Sequence, residues 1–187
     1  ILFFGWFGFN CGSTLEASSD IAGIAMNTVL GACFACVSAS AISWIMSPLK
    51  RPEVEMVANG LLGGLVAITA GCAFVGTVGS MWIGLGAGVI VYVVIEAMEK
   101  IFKLDDVVGA VAVHGCCGAW GTIALGFFIL PEHLGDMSRM DQIGIQLLGV
   151  FVCFVWTFGI GYLLIKGIDI TTGGMRVSRE DELMGLN

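Results

Sequence analysis

The sequence predicts an all-α integral membrane protein, and three observations carry that prediction. Of 187 residues, 57% are hydrophobic and 12% charged, with mean hydropathy +0.95. The apolar stretches run to about the 20 residues that a helix needs to cross a bilayer. The basic residues also segregate to one side of the alternating crossings. A soluble domain of this length does not carry such hydropathy. The formal charge of −7 lies mostly in links and the terminal segment, and no basic patch supports nucleic-acid binding.

Residues 1–14 form the first apolar helix, about 21 Å long against a hydrocarbon core of about 30 Å. Ile1 has no initiator methionine, basic flank or signal-peptide layout, so this span is expected to be cut. A polar link follows, in which Ser18, Ser19 and Asp20 are good N-caps. A span over 21–45 is stopped by Ser47-Pro48-Leu49-Lys50-Arg51-Pro52-Glu53, where two prolines and three charges end a lipid-facing helix. The uncharged run from Met56 to Ile95 is too long for one crossing and is divided at 77–80, giving spans of about 56–78 and 81–98. A further span over 107–130 begins behind Asp105 and Asp106, whose carboxylates suit the positive end of a helix. The last span covers about 143–165, so that 1–166 is the membrane domain and 167–187 a polar tail.

Lys50, Arg51, Lys100, Lys103, Lys166, Arg176 and Arg179 then fall on one side and only Arg139 on the other. That bias makes the tail cytoplasmic. Merging 56–95 into one crossing would scramble the count, which supports the division.

The chemistry is centred on Val113-His114-Gly115-Cys116-Cys117-Gly118-Ala119-Trp120-Gly121. His114 is the one histidine, acid or base within the span, seven residues in and roughly 10 to 12 Å deep. An intramembrane histidine ordinarily marks a substrate or proton pathway; a histidine hydrogen-bonded between packed helices is the competing reading. Gly115, Gly118 and Gly121 let neighbouring helices approach closely, as do the pairs Gly8/Gly12, Gly60/Gly64 and Gly84/Gly88. Most of the glycines are read as packing residues, and Gly84, Gly86 and Gly88 receive no individual function. The seven cysteines all fall in apolar stretches and read as small hydrophobes. Cys33-x-x-Cys36 has no second pair or nearby histidine, so no metal or cofactor is expected.

In the first helix, Leu2, Trp6, Phe9 and Ser13 share one face at i, i+4, i+7 and i+11. The stripe grades from apolar through aromatic to a hydroxyl. Such a face can hold a small cation through ring quadrupole and hydrogen bond, or it can be core.

Three blocks, Gly5-Trp6-Phe7-Gly8-Phe9-Asn10-Cys11-Gly12-Ser13, Asn59-Gly60-Leu61-Leu62-Gly63-Gly64-Leu65-Val66-Ala67-Ile68-Thr69, and Asp105-Asp106 through Val113-His114-Gly115, resemble the ammonium transporter (Amt/Mep) family in order and spacing. Gly174-Met175-Arg176-Val177-Ser178, Glu182 and Gly185-Leu186 look like that family's cytoplasmic tail. The likeness spans the whole chain but only the C-terminal half of such proteins. It implies the second inverted repeat, helices six to ten, plus the final helix of the eleven-helix fold.

The resemblance further implies a homotrimer with one pore per subunit. Phe9 would be one ring of the phenylalanine gate, and Ser13 the hydroxyl of the outer ammonium site. His114 would be the second of two pore histidines. Leu2 and Trp6 would line the wall, with Asn59 and Thr69 near its inner end. The partner histidine, the recruitment tryptophan, the other gate ring and an important aspartate would lie upstream. Ammonium, or methylammonium as its analogue, would lose a proton before crossing an apolar lumen as ammonia. The tail would touch a neighbouring subunit and accept a PII-type regulatory protein, or serve only as a solvated end. An ammonium-sensing receptor of the same fold is the rival function. A redox protein with His114 on haem needs a second histidine, and His133 lies in an outer loop.

Overall fold

The computed structural model describes residues 1–48 and 50–185. Its helices are α1 (Leu2–Gly12), α2 (Asp20–Met46), α3 (Val54–Thr69), α4 (Thr77–Ala97), α5 (Cys117–Phe128), α6 (Arg139–Thr172) and α7 (Arg179–Met184). Two wide π-type segments join this series. Met98–Phe102 extends α4, and Val111–Cys116 leads into α5. Among the described residues no strand forms beyond one isolated bridge, Val75 to Ile129. Four helices are long and apolar enough to cross a membrane: Asp20–Met46, Thr77–Phe102, Val111–Phe128 and Arg139–Thr172. The all-helical membrane class is therefore as expected.

The chain divides into two compact units, Ile1–Leu147 and the residues from Leu148 on. The first is built on α2, α3 and α4, and small residues explain how closely they meet. At Gly64 on α3 and at Gly84 on α4 a Cβ would run into the same carbonyl oxygen, that of Gly31 on α2. At Gly60 it would meet Ala39 and the Ala35 carbonyl, and at Gly88 the Ala35 carbonyl and Ser38. Helix backbones so near leave room for nothing larger than hydrogen. Around this seam sit Leu65, Ile68, Ile83, Ala87 and Val91, all fully buried. Gly121 repeats the device where α5 crosses the backbone of Ala67 on α3. Gly8, Gly12 and Gly115 have no neighbour within 4 Å of a built Cβ, so the close approach expected there is not made within this chain.

Several boundaries differ from those read off the sequence. The break in the long apolar run lies at 70–76, and Thr77 to Ser80 form the first turn of α4. Asn27 on α2 is the cause, because its Nδ2 donates to the carbonyls of Cys72 and Val75, both at 2.9 Å, and holds the link in non-helical form. Cys72 accordingly sits in the link, where burial pushes its thiol up. Ser19 occupies the N-cap of α2, but its side chain makes no capping bond. The last helix continues past Ile165 to Thr172. It stops where Gly173 and Gly174 take φ of +76° and +118°, with Asp169 receiving the backbone N–H of Met175 at 2.9 Å.

In the second unit, Ser178 caps α7 by accepting the Asp181 N–H at 3.1 Å and donating to its carboxylate at 2.6 Å. The Arg176–Glu182 pair at 3.1 Å is largely exposed.

Candidate pore-lining site

Helix α1 carries the stripe, and its packed side is defined by polar anchors. Asn10, 4% exposed, donates from Nδ2 to Thr28 Oγ1 on α2 at 3.0 Å, while Thr28 donates to the Ile24 carbonyl at 2.7 Å. Cys11 Sγ reaches the Ile21 carbonyl at 3.7 Å. With Asn10 turned inward, Leu2, Phe9 and Ser13 are exposed and Trp6 half-buried. The four stripe residues thus share an open face.

The rings on that face touch. Trp6 and Phe9 meet edge-on with centroids 5.8 Å apart. Ser13 Oγ donates to the Phe9 carbonyl at 2.6 Å. Its proton is engaged there, so its oxygen presents only lone pairs outward. An N–H-bearing cation is matched by such an acceptor.

Thr69 is the last residue of α3 and accepts the Trp6 indole N–H at 2.8 Å. Asn59 lies ten residues earlier, about 15 Å away along the same helix. It is buried, and a Cβ on Gly109 would lie 3.1 Å from its Nδ2. Asn59 and Thr69 therefore belong to opposite ends of α3, and only Asn59 lies beside the link that precedes the histidine segment.

His114 stands within Val111–Cys116. Val107 and Val108 form a turn, Gly109 has φ +66°, and helical winding begins at Ala110. His114 is thus four residues into its helix rather than the seven expected, because the chain must first turn through Gly109. Asp106 fixes that start: its two carboxylate oxygens accept the N–H groups of Ala110 at 2.8 Å and Val111 at 2.9 Å. Ala112, Val113 and Cys117 are buried, whereas His114 and Gly115 are exposed. Among the described residues none is hydrogen-bonded to the imidazole. Among the described residues no hydrogen bond or ring contact joins His114 to the stripe on α1.

Some anchoring residues escaped the sequence reading. Trp120 donates its indole N–H to the Ile83 carbonyl at 2.9 Å, and Gly86 makes room for the ring. Arg139 donates to the carbonyls of Phe127 at 2.6 Å and Ile129 at 2.9 Å, closing the end of α5. Asn10, Asn27 and Thr28 were detectable in principle, since an uncharged polar side chain inside an apolar helix needs a partner. His133 is exposed in its loop, with its ring edge-on to Phe74 at 5.4 Å.

A model of the Ammonium Transporter Family matches residues 1–187. Ammonium transporter Amt2 of Archaeoglobus fulgidus is 42% identical over 199 residues, covering all of this chain and 42% of its own length. Amt2 of Methanocaldococcus jannaschii is 40% identical over 185 residues, covering 98% and 41%. A solved structure described as a sensor Amt protein superposes with TM-score 0.93 at 41% identity, covering 100% of this chain and 46% of that one. Mep2 of Saccharomyces cerevisiae, at 23% identity and TM-score 0.83 over 90% of this chain and 41% of its own, shares the fold. The chain spans less than half the length of each of these relatives.

Proposed function

Since the chain belongs to the ammonium transporter family, a family of membrane transporters and not of enzymes, we propose that the whole protein moves ammonium nitrogen across the cell membrane. The single observation that carries this is the acceptor at the end of the α1 stripe. Ser13 gives its proton to the backbone carbonyl of Phe9 and offers its lone pairs one helical turn from that residue, an acceptor suited to a cation with N–H donors. Phe9 is the gate ring behind that outer site, with Trp6 and Leu2 as wall. The exposure of His114, beside buried Ala112 and Val113, supports an imidazole turned toward a conduit.

Ammonium held at Ser13 releases its proton before entering the apolar passage, because a bare charge in low dielectric is far more costly than neutral ammonia. His114, with a second histidine elsewhere in the whole protein, hydrogen-bonds the passing ammonia and relays the proton. Asn59 lies toward the inner end and Thr69 behind Trp6. Residues 1–166 form the membrane domain, and 167–187 a cytoplasmic tail in a homotrimer. The tail, with Arg176 and Arg179 exposed, is the surface for a PII-type partner.

Sensing is the second reading, favoured by the likeness to the sensor Amt protein. The two separate in one measurement, uptake of labelled methylammonium by the complete protein in liposomes. Saturable uptake is expected. Ligand binding without uptake overturns transport and leaves sensing.

A further inference from the structure

We propose that Thr69 is a positioning residue for the pore face, turning the Trp6 N–H away from the conduit and fixing the ring on which Phe9 rests. The proposal rests on the transport reading above.

Two bonds define the arrangement. Thr69 Oγ1 donates to the Leu65 carbonyl at 2.7 Å, which leaves only its lone pairs for other partners. The indole nitrogen of Trp6 is a donor only, and it meets those lone pairs at 2.8 Å across 63 positions of sequence. The bond therefore runs in one direction and selects one orientation of the indole. Among the described residues it is the one side-chain hydrogen bond tying residues 2–9 of α1 to another helix, since Asn10 and Cys11 anchor the helix nearer Ser13. Phe9 leans edge-on against the ring so fixed.

The chemistry of ammonia makes this matter. Its lone pair is a strong hydrogen-bond acceptor. An indole N–H left free beside an apolar passage would hold each molecule that came by. With Thr69 occupying that donor, the Trp6 ring offers its hydrocarbon surface alone. At the outer site the Ser13 lone pairs stay open for the cation, while the matching lone pairs of Thr69 are taken.

The test uses the complete protein in liposomes, with initial rates of methylammonium uptake for wild type, T69V, T69S, W6F and the W6F/T69V double variant. T69V, which keeps the shape and removes the acceptor, is expected to lower the maximal rate about fivefold. The half-saturation concentration, set at Ser13, should stay within about twofold on the same reasoning. T69S is expected to retain most of the rate. In the W6F background, where no donor remains, T69V is expected to have no further effect. An equal loss from T69V in both backgrounds, or equal failure of T69S and T69V, overturns the proposal. If T69V does not assemble, the double variant decides: assembled and as active as W6F supports the role, and lost alongside T69V overturns it. Wild-type uptake with an unaffected T69V sinks this inference alone, whereas absence of wild-type uptake sinks the transport reading with it.

Discussion

Ser13 and Thr69 illustrate how little separates a binding hydroxyl from a structural one. Each donates its proton to the carbonyl four residues back, a habit of Ser and Thr in apolar helices. What distinguishes them is whether a partner already occupies the lone pairs. For Ser13, replacement with Ala removes an acceptor from a charged ligand, so half-saturation for methylammonium should rise about tenfold; an unchanged value would place the outer site elsewhere. Replacing His114 with Ala should alter or abolish selective uptake while the protein still elutes as the wild type does, because the ring is exposed in this chain. Unchanged uptake and selectivity would contradict its pore role. The stripe of Leu2, Trp6, Phe9 and Ser13 was legible because its members lie on one helix, at spacings that a 3.6-residue period reveals. The bond from Trp6 to Thr69 was not, since nothing local in either stretch records a partner 63 positions distant.

At the scale of elements, glycine decides which helices share a seam. Gly84 faces backbone rather than a yielding side chain, so G84V must push α2 and α4 apart. That should destabilise the protein by about 1 to 3 kcal/mol or more, read as a lower melting temperature in detergent. A wild-type melting curve would refute the packing described. Asp106 caps two backbone donors. D106A should therefore cost about 1 kcal/mol, with D106N or D106S restoring most of it. The pairs Gly60/Gly64 and Gly84/Gly88 signalled this seam from spacing alone, and Gly8/Gly12 shows that spacing does not name the partner. The shifted break between α3 and α4 has the same origin. The sequence places the division at 77–80, yet the link is held at 70–76 by an amide on α2. Ser80 itself merely donates to the Gly76 carbonyl within the first turn.

For the molecule as a whole, the bias of the basic residues is the ground on which sidedness is proposed. The one exception to the charge bias, Arg139, is engaged with the open carbonyls at the end of α5 rather than left free to orient the chain. An epitope inserted at Gly135, in a turn with φ +56° and open space around it, should be decorated by antibody on intact cells. One inserted at Gly174 should be decorated only after permeabilisation. The reverse pattern would invert the topology. Helical membrane architecture was legible from hydropathy, because lipid forces every backbone group to find its partner within the segment.

The wide winding of Val111–Cys116 also bears on how this chain tolerates changes in length. A π turn holds one residue more than an ordinary turn of helix needs. A single-residue deletion there can be absorbed by tightening the coil, leaving the seat of Gly121 on Ala67 undisturbed, whereas the same loss in the middle of α4 would rotate everything beyond it by about 100°. The imidazole thus sits on a stretch of chain with slack in it, where its aim is adjustable while the scaffold beneath stays put.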